Sequence, residues 1–391
     1  MDVKLFRASP IGSLTPISGT DQRGKSFSHF AYLPDPLNKE PQLTGATWRT
    51  VSRANHALGR LMQGAATPNP AILCQPTLRR EAQSTSALEG TFAPLDDVLG
   101  ADVIGGAVRS GALIEIMNYV TAAERAFQSF TDGHPLSVGL LENLYGTLVL
   151  DTPSETDDAG KIRSIQVAVD SVGGSVEDAR FIPMQPGTLL RAALGDLVDW
   201  IRAGTAQGRD PVVSAAMAHY QFEALHPFND GNGRIGRLLI VLQMMQDNVI
   251  SETLLSVSPW FEARRSQYQD GLARVSTHGD WDQWISFFAA GIETSAIDTA
   301  SRIQALLKVQ QEYQAKLIAA GARGIVRDIA DYLVGNPYVT VRVLELHTKA
   351  TYQAASNAVK KLVELGILAP TFRTSQTRFY VATAVREAIV G

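Results

Sequence analysis

Residues 224–239 read ALHPFNDGNGRIGRLL, and they join two helical patterns by a loop built from residues that helices avoid. Upstream, VSAAMAHYQFEAL (213–225) is apolar at helical spacing. Pro227 disfavours the α conformation at His226, so that helix is expected to stop there with the imidazole at its end. Gly231 and Gly233 allow a tight turn and a close backbone approach to a ligand. A second helix is expected to start near Arg234, with free N–H donors and the positive end of its dipole facing the turn. Such a terminus is an anion site. Arg234 and Arg237, three residues apart, add bidentate contacts to phosphate oxygens. Asp230 would repel that anion unless a cation lay between them, and Mg²⁺ binds through one or two carboxylates together with phosphate oxygens. The residues therefore point to a nucleotide polyphosphate with Mg²⁺. His226 stands at the lip, suited to accept a proton from a hydroxyl that attacks phosphorus.

The rest of the 391-residue chain is ordinary in bulk. It is 45% hydrophobic and 19% charged, with a formal net charge of −4, so no global charge points to nucleic acid or an anionic membrane. The single cysteine, Cys74, excludes an intrachain disulfide and a thiolate metal cluster. No stretch approaches the roughly 18 apolar residues of a membrane span, and the start lacks a signal-peptide core. A cytoplasmic location without membrane contact is the expectation.

Residues 1–45 show no sustained period and read as an extended or loop-rich arm. Helices are expected over 47–63, with Trp48, Val51, Leu58 and Met62 near one stripe, and over 77–90, where Gly90 suits a C-cap. Others are expected over 108–130, 136–150, 187–204, 234–248, 259–275 and 281–321. KIRSIQVAVDSVGGSVEDARFIPMQP (161–186) instead alternates apolar and polar residues around Gly173-Gly174, and predicts a β-hairpin with strands near 163–169 and 179–183. Residues 321–391 follow the order helix, helix, helix, strand, that of a winged helix-turn-helix. Their basic excess, nine Lys and Arg against five Asp and Glu, leaves open DNA contact, protein contact or a solvated docking face.

HPFNDGNGRIGR resembles the signature of the Fic family, H-x-F-x-D/E-G-N-G-R-x-x-R, at His226, Phe228, Asp230, Gly231, Asn232, Gly233, Arg234 and Arg237. The likeness runs over roughly residues 40–300. It includes LTGATWRTVSRANHALGRLMQ (43–63), EAQSTSALEGT (81–91), the segment GKIRSIQVAV…ARFIPMQP and GDWDQWISFFAAGI (279–292). The resemblance implies a mainly α fold. An N-terminal arm and helical region (1–110) would precede a Fic-type core (111–300) with a hairpin flap (163–183), and a winged helix-turn-helix (320–391) would follow. It implies a protein adenylyltransferase, which moves AMP from ATP to a Ser, Thr or Tyr hydroxyl of a target protein. His226 would be the general base and Asp230 the Mg²⁺ ligand. Gly231, Asn232 and Gly233 would cradle phosphates, Arg234 and Arg237 would hold the β and γ groups, and Phe228 would anchor the loop. The flap would hold the target by strand addition. IPMQP stands where relatives often carry a run of prolines. A homo-oligomer is a further partner expectation.

TSALEG (85–90) resembles the family's inhibitory motif [S/T]-x-x-x-E-[G/N] at Thr85, Glu89 and Gly90. The motif precedes the core, so an inhibitory helix over about 77–90 would belong to the same chain, with Glu89 pairing Arg237 and spoiling the pose of ATP. Two rival readings differ in class. His219, Glu223 and His226 at i, i+4 and i+7 could bind zinc, although the glycine-arginine loop would then be idle. Alternatively the chain is a transcriptional regulator working through residues 321–391, with the core as a ligand sensor. Trp260 and Tyr268 are candidates for stacking on a base or for core packing.

Overall fold

The computed structural model describes residues 1–20, 24–38, 40–64, 71–104, 110–171, 175–251, 253–373 and 377–391. In chain order the elements begin with α1 (Val3–Arg7), β1 (Gly12–Thr20), β2 (Ser26–Pro34), α2 (Gly45–Gly64), α3 (Ala71–Leu88), α4 (Leu95–Leu99) and α5 (Ala101–Ile104). The core continues with α6 (Gly111–Thr131), α7 (Val138–Val149), α8 (Thr188–Ala203), α9 (Pro211–Leu225) and α10 (Asn232–Gln246). Next come α11 (Ser258–Glu262), α12 (Arg265–His278) and the 39-residue α13 (Trp281–Ala319). The C-terminal unit holds α14 (Ile325–Gly335), β3 (Tyr338–Thr340), α15 (Val341–Thr348), α16 (Tyr352–Glu364), β4 (Ala369–Arg373), β5 (Arg378–Val381) and α17 (Thr383–Val390). Its three strands form an antiparallel sheet in the order β3-β5-β4.

The centre is the pair α9 and α10. A helix that is apolar all round belongs in a core, and nearly every residue of both is buried. Asp210 caps α9 by accepting from the amides of Val212 and Val213, with Pro211 in the first turn where its missing N–H is harmless. Around this pair, α2 and α13 pack along one side, and α6, α7 and α8 close the other. Trp48 departs from the expected stripe of α2: it is exposed, while Val51, Leu58 and Leu61 face inward. The segment expected as one helix at 259–275 is divided into α11 and α12.

Two expectations about β structure are corrected. The arm at 1–45 carries a short helix and a nine-pair antiparallel hairpin, β1–β2. Only Ile17 of β1 is buried, so the strand lacks the alternation that would have marked it. The flap at 163–183 is not a regular hairpin among the described residues. Its arms meet at one antiparallel bridge, Val169–Phe181, and its glycine turn lies outside the described residues. Arg163 and the Gln166 side chain occupy carbonyls that a ladder would use, those of Ile165, Val167, Pro183 and Met184. Order in the flap is borrowed from β2, where the Tyr32 amide donates to Ile182 at 2.9 Å beside a parallel bridge to Pro183.

Candidate active site

His226 ends α9, as the following proline requires, but in the left-handed conformation, φ 50° and ψ 60°, and not in the extended one that a residue before proline usually takes. A non-glycine residue there costs of order 1–3 kcal/mol, and contacts on both sides fix it. Its amide donates to Phe222, and its carbonyl accepts from Arg163 Nε at 2.8 Å. Arg163 is buried and also donates to the carbonyls of Ile165 and Met184, tying the loop to both arms of the flap. No sequence pattern identified this arginine.

The loop then closes on itself. Asn232 Oδ1 accepts from the Phe228 amide and Nδ2 donates to the Phe228 carbonyl, both at 2.9 Å. The Asn232 side chain is thus committed to the loop, which leaves its backbone N–H as its means of reaching an anion. Phe228 is fully buried and stacks on Tyr145 with ring centroids 4.5 Å apart. Gly231 caps α10 at φ 72°, where a Cβ would lie 2.5 Å from Leu148. It offers no side-chain cap, so the first N–H groups of α10 face the loop unbonded by a capping group.

Glu89 reaches this terminus from just beyond the end of α3. Its Oε1 accepts from Arg237 Nη2 at 2.5 Å, while Thr85 takes Arg237 Nε on its hydroxyl at 2.7 Å and Nη2 on its carbonyl at 3.0 Å. Gly90, at φ 91°, lets the chain leave α3 there. A Cβ on Gly233 would lie 2.1 Å from Glu89 Oε1, so the carboxylate lies against the backbone that the sequence marks as an anion cradle. Burial works against the charge of Arg237, but the adjacent Glu89 carboxylate more than offsets it and holds the guanidinium firmly protonated.

Arg234, also buried, is engaged by Glu115 on α6 at 3.3 Å and Asp230 at 3.5 Å. Glu115, which also accepts from Thr91, carries no motif and was not foreseen. Burial raises the Asp230 carboxyl, but the Arg234 charge and hydrogen bonds from Ser154 and the Gly231 amide outweigh it, so its acidity is strengthened. An ionised, partly exposed single carboxylate beside unbonded helix N–H groups fits Mg²⁺, which takes its remaining oxygens from phosphate and water.

A cavity of about 680 Å³ brings Glu89, His226, Gly233 and Arg237 together, with Glu223 and Tyr268 in its wall. A larger cleft of about 800 Å³, between α2 and α13, contains no motif residue. Desolvation, with the Arg163 charge second, pushes the His226 imidazole down to about 4. It is neutral at physiological pH. Burial lifts Glu223 to about 8, and its Oε1 has no hydrogen-bond partner among the described residues.

The zinc reading is not supported by this arrangement. His219 directs Nδ1 to the Gly236 carbonyl at 3.0 Å and Nε2 to the Tyr268 hydroxyl at 2.7 Å, leaving no lone pair for a metal. No group of three His, Cys, Asp or Glu arranged for a metal occurs among the described residues. Tyr268 is thereby a buried core partner that also edges the cavity. Trp260 lies elsewhere, under the Arg264 guanidinium at 3.4 Å.

A helix-terminal histidine, the two glycines of the turn and two arginines of the first turns of α10 thus come together where α9 meets α10, in the arrangement of the Fic signature. The chain carries two matching domains: residues 48–128 match the Fic/DOC family N-terminal model and residues 135–244 the Fic/DOC family model. Over 138 residues it is 36% identical to protein adenylyltransferase fic-1 of Caenorhabditis briggsae, covering 35% of this chain and 24% of that protein. Over 132 residues it is 33% identical to protein adenylyltransferase Fic of Aedes aegypti, covering 34% and 23%. The chain thus spans about a quarter of the length of the curated relatives it matches. Its fold is similar to that of a Fic family protein from Desulfovibrio desulfuricans G20, with TM-score 0.55 and 19% identity over 88% of this chain and 98% of that one. A Fic domain containing signaling protein from Bacteroides thetaiotaomicron VPI-5482 gives 0.51 and 18% over 65% and 98%.

Proposed function

We propose that this protein is an adenylyltransferase that moves AMP from ATP to a Ser, Thr or Tyr hydroxyl of a protein target, and that Glu89 holds it in check. The observation that carries the reading is the capture of Arg237 by Glu89 and Thr85 inside the cavity that also contains His226. An arginine at the start of a helix beside unbonded N–H groups is a phosphate ligand, and here a carboxylate of the same chain occupies it. The names of the curated relatives, protein adenylyltransferases, support the same chemistry.

In the reaction the target hydroxyl oxygen bonds to the α-phosphorus of ATP. The bond from that phosphorus to the bridging oxygen breaks, pyrophosphate leaves, and the hydroxyl proton passes to neutral His226. The N–H groups at the start of α10 and the Arg234 and Arg237 guanidinium groups orient the β and γ phosphates. Asp230 would hold Mg²⁺, which offsets the charge of the polyphosphate when bound. With Glu89 on Arg237, ATP binds weakly or with its α-phosphorus misaligned, and a displacement of about 1 Å can cost on the order of 100-fold in rate. The target lies along the flap. Residues 321–391 are a winged helix-turn-helix in this reading, and the outward Tyr352, Gln353, Asn357 and Lys360 of α16 suit DNA contact.

The test is labelling of the purified chain and of lysate proteins with [α-³²P]ATP. Glu89→Gly is expected to raise self-modification and target labelling well above wild type. Equal labelling of the two proteins would remove Glu89 from its role.

A further inference from the structure

Glu89 is delivered by α3, and α3 is enclosed from two directions. On its core side Glu81 is fully buried and accepts from the Ser256 hydroxyl, the Ser258 amide and the Ser258 hydroxyl, while Thr85 meets Arg237. On its outer side α14 of the C-terminal unit packs against it. α3 and the segment that follows it form one piece, because buried Arg79 donates to the carbonyls of Val98 and Leu99 and pairs with Asp102.

Two polar clasps fasten the C-terminal unit to this piece. Asp96, seven residues after Glu89, receives Arg386 of α17 on both carboxylate oxygens, Nε at 2.7 Å and Nη2 at 2.5 Å, and also the Tyr338 hydroxyl at 2.8 Å. Arg80 of α3 pairs with Asp298 at 2.6 Å, Asp298 with Arg302 at 3.0 Å, and Arg302 donates to the Ile389 carbonyl of α17 at 2.6 Å. Both clasps end on α17, and both bear on the element that carries the inhibitory acid. None of their residues reaches the cavity of His226.

We infer that the C-terminal unit is a second lock on the inhibitory helix: docked, it holds α3 where Glu89 meets Arg237, and undocked it lets Glu89 leave. The inference rests on Glu89 being inhibitory and adds the part of the molecule that controls it. Any ligand that binds the undocked unit better than the docked one would activate the enzyme by population shift.

The test uses the full chain and initial rates of self-labelling with [α-³²P]ATP. Arg386→Gln is expected to raise the rate about two- to fivefold, the range that one partly exposed bidentate pair supports, and Arg386→Gln with Arg302→Gln to raise it further. Asp96→Arg combined with Arg386→Asp, which restores the pair with reversed charges, is expected to return the rate toward wild type. In a Glu89→Gly background Arg386→Gln is expected to add nothing. Wild-type rates in Arg386→Gln and in the double variant, beside a high rate in Glu89→Gly, would overturn the lock and leave the inhibition intact; that result would mean the Glu89 side chain swings out alone. An equal fold-rise in both backgrounds would also overturn it. No rise in Glu89→Gly would instead sink the inhibitory reading beneath it. Thermal unfolding of each variant identifies any that fails to fold, and the charge-reversed pair then carries the test.

Discussion

The loop at 226–237 and the flap at 163–184 meet at Arg163, yet they are ordered by opposite means. The loop carries its own instructions: Pro227 stops one helix, Asn232 clamps Phe228, and Gly231 opens the next helix, all within twelve residues. Among the described residues the flap has one internal bridge, and it takes its shape from Tyr32, distant in sequence, on one side and from the buried fork of its own Arg163 on the other. The loop is thus fixed mainly by its own residues, whereas the flap's carbonyls of Ile165, Val167, Pro183 and Met184 are taken up by side chains and its shape is set by contacts with other elements.

If the loop is the chemical half of this pair, its largest single effect belongs to His226. In the Glu89→Gly background, His226→Ala is expected to lower the labelling rate by about 10²–10⁴, the usual share of a general base, with little change in thermal stability because the ring lies at the edge of the cavity. A rate within threefold of the parent would move the base elsewhere. Of comparable weight for the loop's rigidity is Asn232→Ala. It strips the Phe228 amide and carbonyl of their partners inside the core, and leaving buried backbone groups unpaired costs about 1–3 kcal/mol each. A clear fall in melting temperature together with loss of activity is expected. Unchanged stability would mean that the loop is ordered from outside, as the flap is.

The same contrast explains which parts were legible in the sequence. The helix boundaries around His226 could be read because a proline, two glycines and an asparagine act through local backbone geometry. The pairing of Glu89 with Arg237 was legible only through the resemblance of TSALEG to an inhibitory motif, since 148 residues separate the two. The β1–β2 hairpin was missed because one strand buries a single side chain and so carries no alternation. The flap was overread because its alternating pattern is real while its ladder carbonyls go to Arg163 and Gln166. Glu115 and Arg163 had no signal of their own: each acquires its role from a charge or carbonyl brought near by tertiary packing.

The smallest expected effect is the most discriminating about the environment that loop and flap create together. An imidazole with its ordinary value near 6.5 would be mostly protonated at pH 6 and mostly neutral at pH 8, so a rate that needs the neutral form would rise about fourfold across that interval. Here desolvation and the Arg163 charge push His226 down to about 4. The base is then neutral throughout, and the labelling rate of Glu89→Gly is expected to vary less than about twofold between pH 6 and 8. The same depression has a stability counterpart. Unfolded His226 takes up a proton below about 6.5 while the folded form resists until about 4, so its contribution to stability is complete above 6.5 and is lost as pH falls toward 4. Burial depresses His219 to about 3 and extends that loss further into acid. Glu223 has the opposite sign: raised to about 8, it contributes below its unfolded value of about 4.5, and that contribution is lost as pH rises through 8. Glu223→Gln separates the two: the fall in melting temperature expected between about pH 6.5 and 8 should vanish in that variant, while below about 6.5, where the glutamate opposes the histidines, their acid-side slope should steepen. A fourfold rise in rate from pH 6 to 8 that survives Glu223→Gln would show that His226 titrates as an exposed imidazole. The buried guanidinium of Arg163 would then act on the loop through its hydrogen bonds and not through its charge.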